Sequence, residues 1–507
     1  NSGNESGMHY YLIRKFGEVF NLSINTEFVE FDDFFARNGS VPENVKNDPS
    51  VSYTPDIFGH TDVIAFDLTA VDWRNRLMRI IPLYPYRVVV INRRGEEVSH
   101  IGQLQKKSFV VYDNTAHEVF LQSVSDKLQL DLQMTLVPFP VDRLQMLIDN
   151  KGDYAIGDSQ ALQHFISDYP ELNISFPLTE IEMNGWAVAK DNAELEQIVE
   201  KFFRYAEESG ILNEAVQEGM GISLNRYYKL VNADAPATPE FTEQGQRYLD
   251  KLKAGGGLTA AIFDGGSVYE EKDDGTFGGL HYYLALSIAH MLDIPIRFTP
   301  VGFNEFFEKD GEVPEQLKTD PGFSYTPDLL QDHHVYIGNI SPLPWRKKFL
   351  SFINLFPTRL VYVVHKDTGT IENKNLHKYR FAFIPNSSYE AWLKKNSNYQ
   401  LLNKIKAGAV EEVLELIQSK RADISIADAN LVLGRLRAYP DISFYPADEK
   451  VESLSWAVSK DDILLQSILK KSIDHVKQNG LFGRIWEDYY GSTLGMYLEM
   501  LSATGLQ

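Results

Sequence analysis

Two arginines each follow a hydroxyl by five residues: Thr69 and Arg74 within LTAVDWR, and Ser341 and Arg346 in SPLPWR. A guanidinium offers two parallel N–H donors that match a carboxylate, and a nearby hydroxyl supplies a third. Two aspartates close short apolar strands, Asp158 in GDYAIGD and Asp428 in ADISIAD. In open α/β sheets ligands bind beyond the carboxyl ends of strands, so a carboxylate there is placed to receive an ammonium group. The same position also suits a cap for the helix that follows. A third pair, YDNTAHE at Tyr112–Glu118 and IPNSSYE at Ile384–Glu390, runs a strand through small polar residues into a helix. The free N–H groups and positive end of such a helix can hold a carboxylate, with ordinary capping by Asn114 or Ser387 as the alternative. No pattern is specific alone, but each occurs twice.

The doubling extends along the chain. GMHYYL at Gly7–Leu12 returns as GLHYYL at Gly279–Leu284, SYTPD at Ser52–Asp56 as Ser324–Asp328, and Trp73-Arg74 as Trp345-Arg346, all at an offset of 272 residues. Asp158 with Asp428, and WAVAKD at Trp186–Asp191 with WAVSKD at Trp456–Asp461, follow at 270. Solenoid units run about 20–50 residues, so this is a duplicated module, each copy long enough for its own core. In the second copy, LTAAIF (Leu258–Phe263), IPIRFTPV (Ile294–Val301), LVYVV (Leu360–Val364), FAFI (Phe381–Ile384) and ADISIAD read as strands between helical stretches. That alternation predicts α/β units with largely parallel sheets. Asn232–Gly257, with Pro and Gly at both ends and a short helix predicted over Glu240–Lys253, reads as a linker. The first copy has only six residues before GMHYYL, so a partner for the Leu258–Phe263 strand is missing or replaced. The chain opens almost on a motif, as a mature or trimmed form does.

Of 507 residues none is cysteine, which excludes disulfides, thiolate zinc sites and a cysteine nucleophile. A net charge of −21 argues against nucleic acid or an anionic membrane surface as partner. H-E-x-x-H, G-x-S-x-G and P-loop motifs are absent. The adjacent His333-His334 has Thr61-Asp62 in its place in the first copy, which argues against a metal site, and Glu411-Glu412 reads as surface charge on a solvated helix.

The order of these elements, closed by GLFGRIWEDYYG at Gly480–Gly491, resembles the amino-acid-binding branch of the periplasmic solute-binding proteins over nearly the whole chain, twice. The resemblance implies an α/β fold of two tandem type II periplasmic-binding-protein (Venus-flytrap) modules, each of two lobes with a hinge of crossing strands. The expected bounds are 1–232 (lobes about 1–88 with 186–232, and 89–185), a linker at 233–256, and 257–502 (lobes about 257–359 with 456–502, and 360–455). It implies that Arg74 with Thr69, and Arg346 with Ser341, clamp a ligand's α-carboxylate, and that Asp158 and Asp428 take its α-ammonium. Phe31 and Phe303 would pack on the ligand. Thr115 in the first copy and Ser387 and Ser388 in the second would lie at the helix-start contact, and Asp67 and Asn339 in the segments leading to each arginine. Ser388 is matched by Ala116, and the family's glycine at this turn is Asn114 and Asn386 here. An insertion, Asn38–Asp56 and Asp310–Asp328, separates both copies from the transport proteins; its tyrosines and prolines line the cleft or pack the loop.

The leading expectation is an extracytoplasmic sensor region, on the periplasmic or extracellular side of a bacterial inner membrane. It would capture an amino acid or related carboxylate and signal by lobe closure to a membrane-anchored kinase in the same full-length chain. A homodimer is compatible. The alternatives are a freestanding solute-binding protein for a transporter and an enzyme on the same fold, such as a dehydratase-like or peptidoglycan-cleaving protein. The leading expectation carries no enzymatic activity, cofactor or metal.

Overall fold

The computed structural model describes residues 7–45, 48–112, 116–137, 140–160, 168–231, 238–369, 371, 373–436 and 438–502. Two compact units emerge. One contains Asn1–Glu97, Ser108–Glu118 and Met134–Ala237; the other contains Val98–Lys107, Val119–Gln133 and Thr238–Gln507.

In the first unit three strands, β1 (Val63–Thr69), β2 (Met78–Tyr86) and β8 (Glu182–Ala189), form a sheet in the order β1-β8-β2. Five more, β3 (Val88–Arg93), β4 (Ser108–Tyr112), β5 (Gln133–Val137), β6 (Tyr154–Asp158) and β7 (Leu172–Pro177), are ordered β5-β4-β6-β3-β7. The helix Met8–Phe20 turns Leu12 and Phe16 into a core with Trp186 and Phe202, as its apolar spacing requires.

The second unit has β9 (Leu258–Phe263), a small ribbon β10 (Glu270–Glu271) and β11 (Phe277–Gly278), and β12 (Ile296–Val301). β13 (Val335–Ile340), β14 (Leu350–His365), β15 (Arg380–Phe383), β16 (Asn403–Lys406), β17 (Ile424–Asp428) and β18 (Ile442–Ser459) follow. Eight of these make one sheet, β12-β9-β13-β18-β14-β17-β15-β16. β9 is apolar at nearly every position because it runs parallel between β12 and β13, and strands inside a parallel sheet are covered on both faces. β14 and β18 pair antiparallel from Leu350↔Ser459 to His365↔Ile442. One stretch of β18 bonds β13 on one side, while β14 bonds β17 on the other. These two long strands therefore cross between the lobes. Their pairing is interrupted between Asn354 and Phe356, and the first unit repeats the irregularity between Pro82 and Tyr84, 272 residues earlier.

Among the described residues nothing pairs on the free edge of β1, whereas β13 there carries β9. The segment 24–29, which matches β12, forms no strand, and Phe28 is 73% exposed. The expected linker is ordered in its middle. Glu243–Ala254 is a helix, N-capped by Thr242 accepting from Gly245 N at 3.1 Å, and Tyr248 hydrogen-bonds Asp462 at the start of helix Ile463–Gln478.

Trp186 and Trp456 join the two most recognisable repeated motifs. Each indole N–H donates to the histidine of the distant HYYL motif, Trp186 to His9 Nδ1 at 2.9 Å and Trp456 to His281 Nδ1 at 2.8 Å.

Gly185 lies in β8 where a Cβ would stand 1.8 Å from the Ile81 carbonyl oxygen. Gly185→Ala should destabilise the first unit by about 1–3 kcal/mol, the usual cost of overpacking. Amide hydrogen exchange should show lost protection in β1, β2 and β8, with β9 to β18 unaffected.

Candidate ligand-binding site

In the second unit a cleft opens between the lobes. Its walls include Phe303 and Asn339 from one lobe and Ser387, Ser388 and Asp428 from the other. β9, β12, β13, β15 and β17 all end at or near it, the place where an α/β sheet presents its carboxyl strand ends.

Asp428 is the last residue of β17 and is buried. It precedes the helix Ala429–Leu433 but makes no capping bond to it. Its carboxylate accepts from the Tyr389 hydroxyl at 2.9 Å instead. Burial raises this carboxyl to about 7; the Tyr389 bond opposes the rise and the charge of Glu452 adds to it. Among the described residues it has no cationic partner.

Arg346 is fully buried among aromatic faces, its guanidinium carbon 4.4 Å from the Phe307 ring centre, 4.9 Å from Trp345 and 5.3 Å from Phe303. One terminal nitrogen donates to the Ser341 carbonyl at 3.0 Å and the other reaches across to the Asn386 carbonyl at 3.2 Å; Nε has no partner. Burial lowers the guanidinium to about 9, which leaves it charged at neutral pH. Ser341 meets Arg346 through its backbone oxygen, and neither residue is among those lining the cleft.

Ser387 acts as a helix cap, accepting from Glu390 N at 3.3 Å and donating to the Ile384 carbonyl at 2.6 Å. Ser388 begins that helix on the cleft wall. The preceding turn needs φ of +59° at Asn386, a conformation asparagine tolerates better than most residues, which accounts for its standing in place of glycine. Asn339 accepts from His281 Nε2 at 2.9 Å and donates to Ser267 at 3.2 Å.

The first unit arranges the matching residues differently. Asp158 pairs with His117 at 3.2 Å, and His117 matches Tyr389 at the 272 offset. Arg74 lies 5.2 Å from the Phe35 and Trp73 ring centres and 5.6 Å from the exposed Phe31, donates to the Thr69 carbonyl at 3.3 Å, and leaves Nε unpartnered. The Thr69 hydroxyl is taken by Tyr86 at 2.8 Å and Asn184 at 3.1 Å. Asp67 accepts from His9 at 2.7 Å and from Tyr84. Thr115 lies outside the described residues.

One surface reading changes. Glu411 keeps 38% of its side chain exposed but is not a lone surface charge: it forms an ion pair with Arg435, and both face the cleft. Its neighbour Glu412 accepts from Gly408 N at 2.7 Å. The insertion tyrosines Tyr53 and Tyr325 pack their loops by donating to the Phe35 and Phe307 carbonyls. His333 and His334 bond Thr299 and Thr259 at 2.8 and 2.7 Å. Tyr389, Glu411 and Arg435 escaped the sequence reading; the one available signal was a ring donor at 117 and 389 in both copies.

No protein-family model matches the chain. A membrane-bound lytic murein transglycosylase F of Desulfosudis oleivorans is 39% identical over 80 residues, 16% of this chain and 18% of the relative. Four curated relatives bear that name, and the chain spans from 18% to 41% of their lengths. The expectation of a chain without enzymatic character is overturned by these relatives, all named for an enzyme. Among solved structures, the BvgS periplasmic domain of B. pertussis matches 87% of this chain and 82% of its own, at 16% identity and a TM-score of 0.48. An ArgBP variant from T. maritima matches 48% and 99%, at 18% identity and a TM-score of 0.40. The strand order and the crossing strands, with the cleft at the strand ends of the second unit, are those of a type II (Venus-flytrap) fold present twice along the chain.

Proposed function

We propose that the second module, residues 257–502, captures an amino acid or closely related zwitterion by closing its lobes, and that the chain is the ligand-binding region of a longer extracytoplasmic protein. The observation that carries this reading is a pair of buried, opposite charges on facing lobes, Arg346 and Asp428, neither neutralised by a counter-charge among the described residues. A zwitterion supplies both missing partners at once. Its carboxylate would replace the Asn386 carbonyl on Arg346 beside Ser388, and its ammonium would meet Asp428. Because the two groups come from different lobes, the ligand binds the closed form better than the open form, and that difference drives closure. The first module, 1–232, is proposed as a weaker or regulatory copy, since Asp158 already holds His117. Residues 233–256 join the two.

Two outputs fit. Closure signals to a membrane-anchored kinase, as in tandem sensor regions, or it governs a peptidoglycan-cleaving activity. The second is favoured by the names of the curated relatives. Assaying muropeptide release by the full-length protein, with and without the amino acid that binds, separates them.

Calorimetry against the standard amino acids should reveal binding to the second module. Arg346→Met should weaken it by about 3 kcal/mol, on the order of 100-fold, the cost of removing one member of a buried charge pair. Unchanged affinity in that variant defeats the assignment.

The pH dependence follows from Asp428. Its folded pKa of about 7 lies above the ordinary 3.8, so the stability it contributes to the free module is present below about pH 4 and lost as pH rises through 7. Ligand capture needs the ionised form. Affinity should therefore fall as pH drops below about 7, by up to about tenfold per pH unit. Titration calorimetry at pH 5 to 8 should show this slope, and Asp428→Asn should abolish it.

A further inference from the structure

Beyond the two charges reserved for the zwitterion, the side-chain end of the cleft has its own chemistry. Among the described residues on its wall, the only charged groups besides Asp428 are Glu411 and Arg435, and they neutralise each other. The pair is fixed in place. A Cβ on Gly266 would stand 2.2 Å from an Arg435 terminal nitrogen and 2.9 Å from a Glu411 oxygen, so the ion pair lies directly against the opposite lobe's backbone, where φ is +61°. Tyr489 holds that same backbone by donating to the Gly266 carbonyl at 3.2 Å. Asn339 on that wall is also engaged, by His281 and Ser267. The remaining surface is apolar: Phe263, Val268, Phe303, Ile384, Val410 and Leu431.

On the reading that this module binds amino acids, we infer that it selects those with uncharged, predominantly apolar side chains. The Glu411–Arg435 pair is the element that excludes charged ones. An acidic or basic side chain entering this end must either break the ion pair or be buried without a counter-charge, and both are costly. An aliphatic or aromatic side chain gains from leaving water and leaves the pair intact.

The test is calorimetry on the full chain with leucine, valine, methionine and phenylalanine against aspartate, glutamate, lysine and arginine. The apolar set should bind at least about 100-fold tighter than any charged amino acid, the scale expected for an unpaired buried charge. A charged amino acid binding as tightly as the best apolar one overturns the inference and leaves the amino-acid reading standing. Silence across the whole panel overturns both. Two variants sharpen the role of the pair. Glu411→Gln leaves Arg435 without its counter-charge and should raise the glutamate-to-glutamine affinity ratio by at least about tenfold. Arg435→Gln leaves Glu411 alone and should raise the lysine-to-glutamine ratio instead. Each ratio is read within one variant, so general loss of affinity cancels. Ratios unchanged in a variant that melts cooperatively overturn the assignment of the pair as the excluding element.

Discussion

Burying an ionisable group without a counter-charge is among the most expensive things a protein can do, and the second module does it twice without letting the two groups meet. Arg346 is wrapped in aromatic faces and bonded only to carbonyl oxygens; Asp428 is held by a single phenol. Much of the architecture serves to keep them apart and facing. The arginine follows β13 in one lobe, the aspartate ends β17 in the other, and β14 and β18 are the rails between them. The reach of Arg346 to the Asn386 carbonyl shows how close the lobes already come.

The first module relaxes the same constraint from within. His117 gives Asp158 an internal partner where the second module has a tyrosine. Phe31, the counterpart of the cleft residue Phe303, is exposed. Among the described residues the first unit shows no strand matching β9 or β12. Duplication preserved the arginine and the aspartate in both copies while their surroundings diverged.

Much of this was legible in the sequence, for a physical reason. Strand and helix patterns are local, and the repeat aligned them twice, so the α/β alternation and the helical middle of the linker could be read directly. Ser387 makes the capping bond that was one of its two open alternatives, and Asp428, which had a cap among its alternatives, makes none. What local pattern could not carry was pairing across distance. Glu411 looks solvated until Arg435, 24 residues on, folds back to it, and Tyr389 is an unremarkable helix residue until β17 brings Asp428 under its hydroxyl. The backbone bonding of Arg346 to Ser341 was also out of reach, because spacing names the residue and not the atom.

The indole in each module sets something finer than packing. An indole nitrogen can only donate, so Nδ1 of His281 must be the bare nitrogen and its proton must sit on Nε2. That proton in turn requires the oxygen of the Asn339 amide to face it, and the NH₂ end is turned toward Ser267 on the cleft. The tautomer of a fully buried ring thus decides which way round a cleft amide points. In the first module the same relay ends in Asp67, which has no donor end to turn. One copy therefore presents an oriented dipole at this position and the other a bare acceptor, although the tryptophan and histidine behind them are the same.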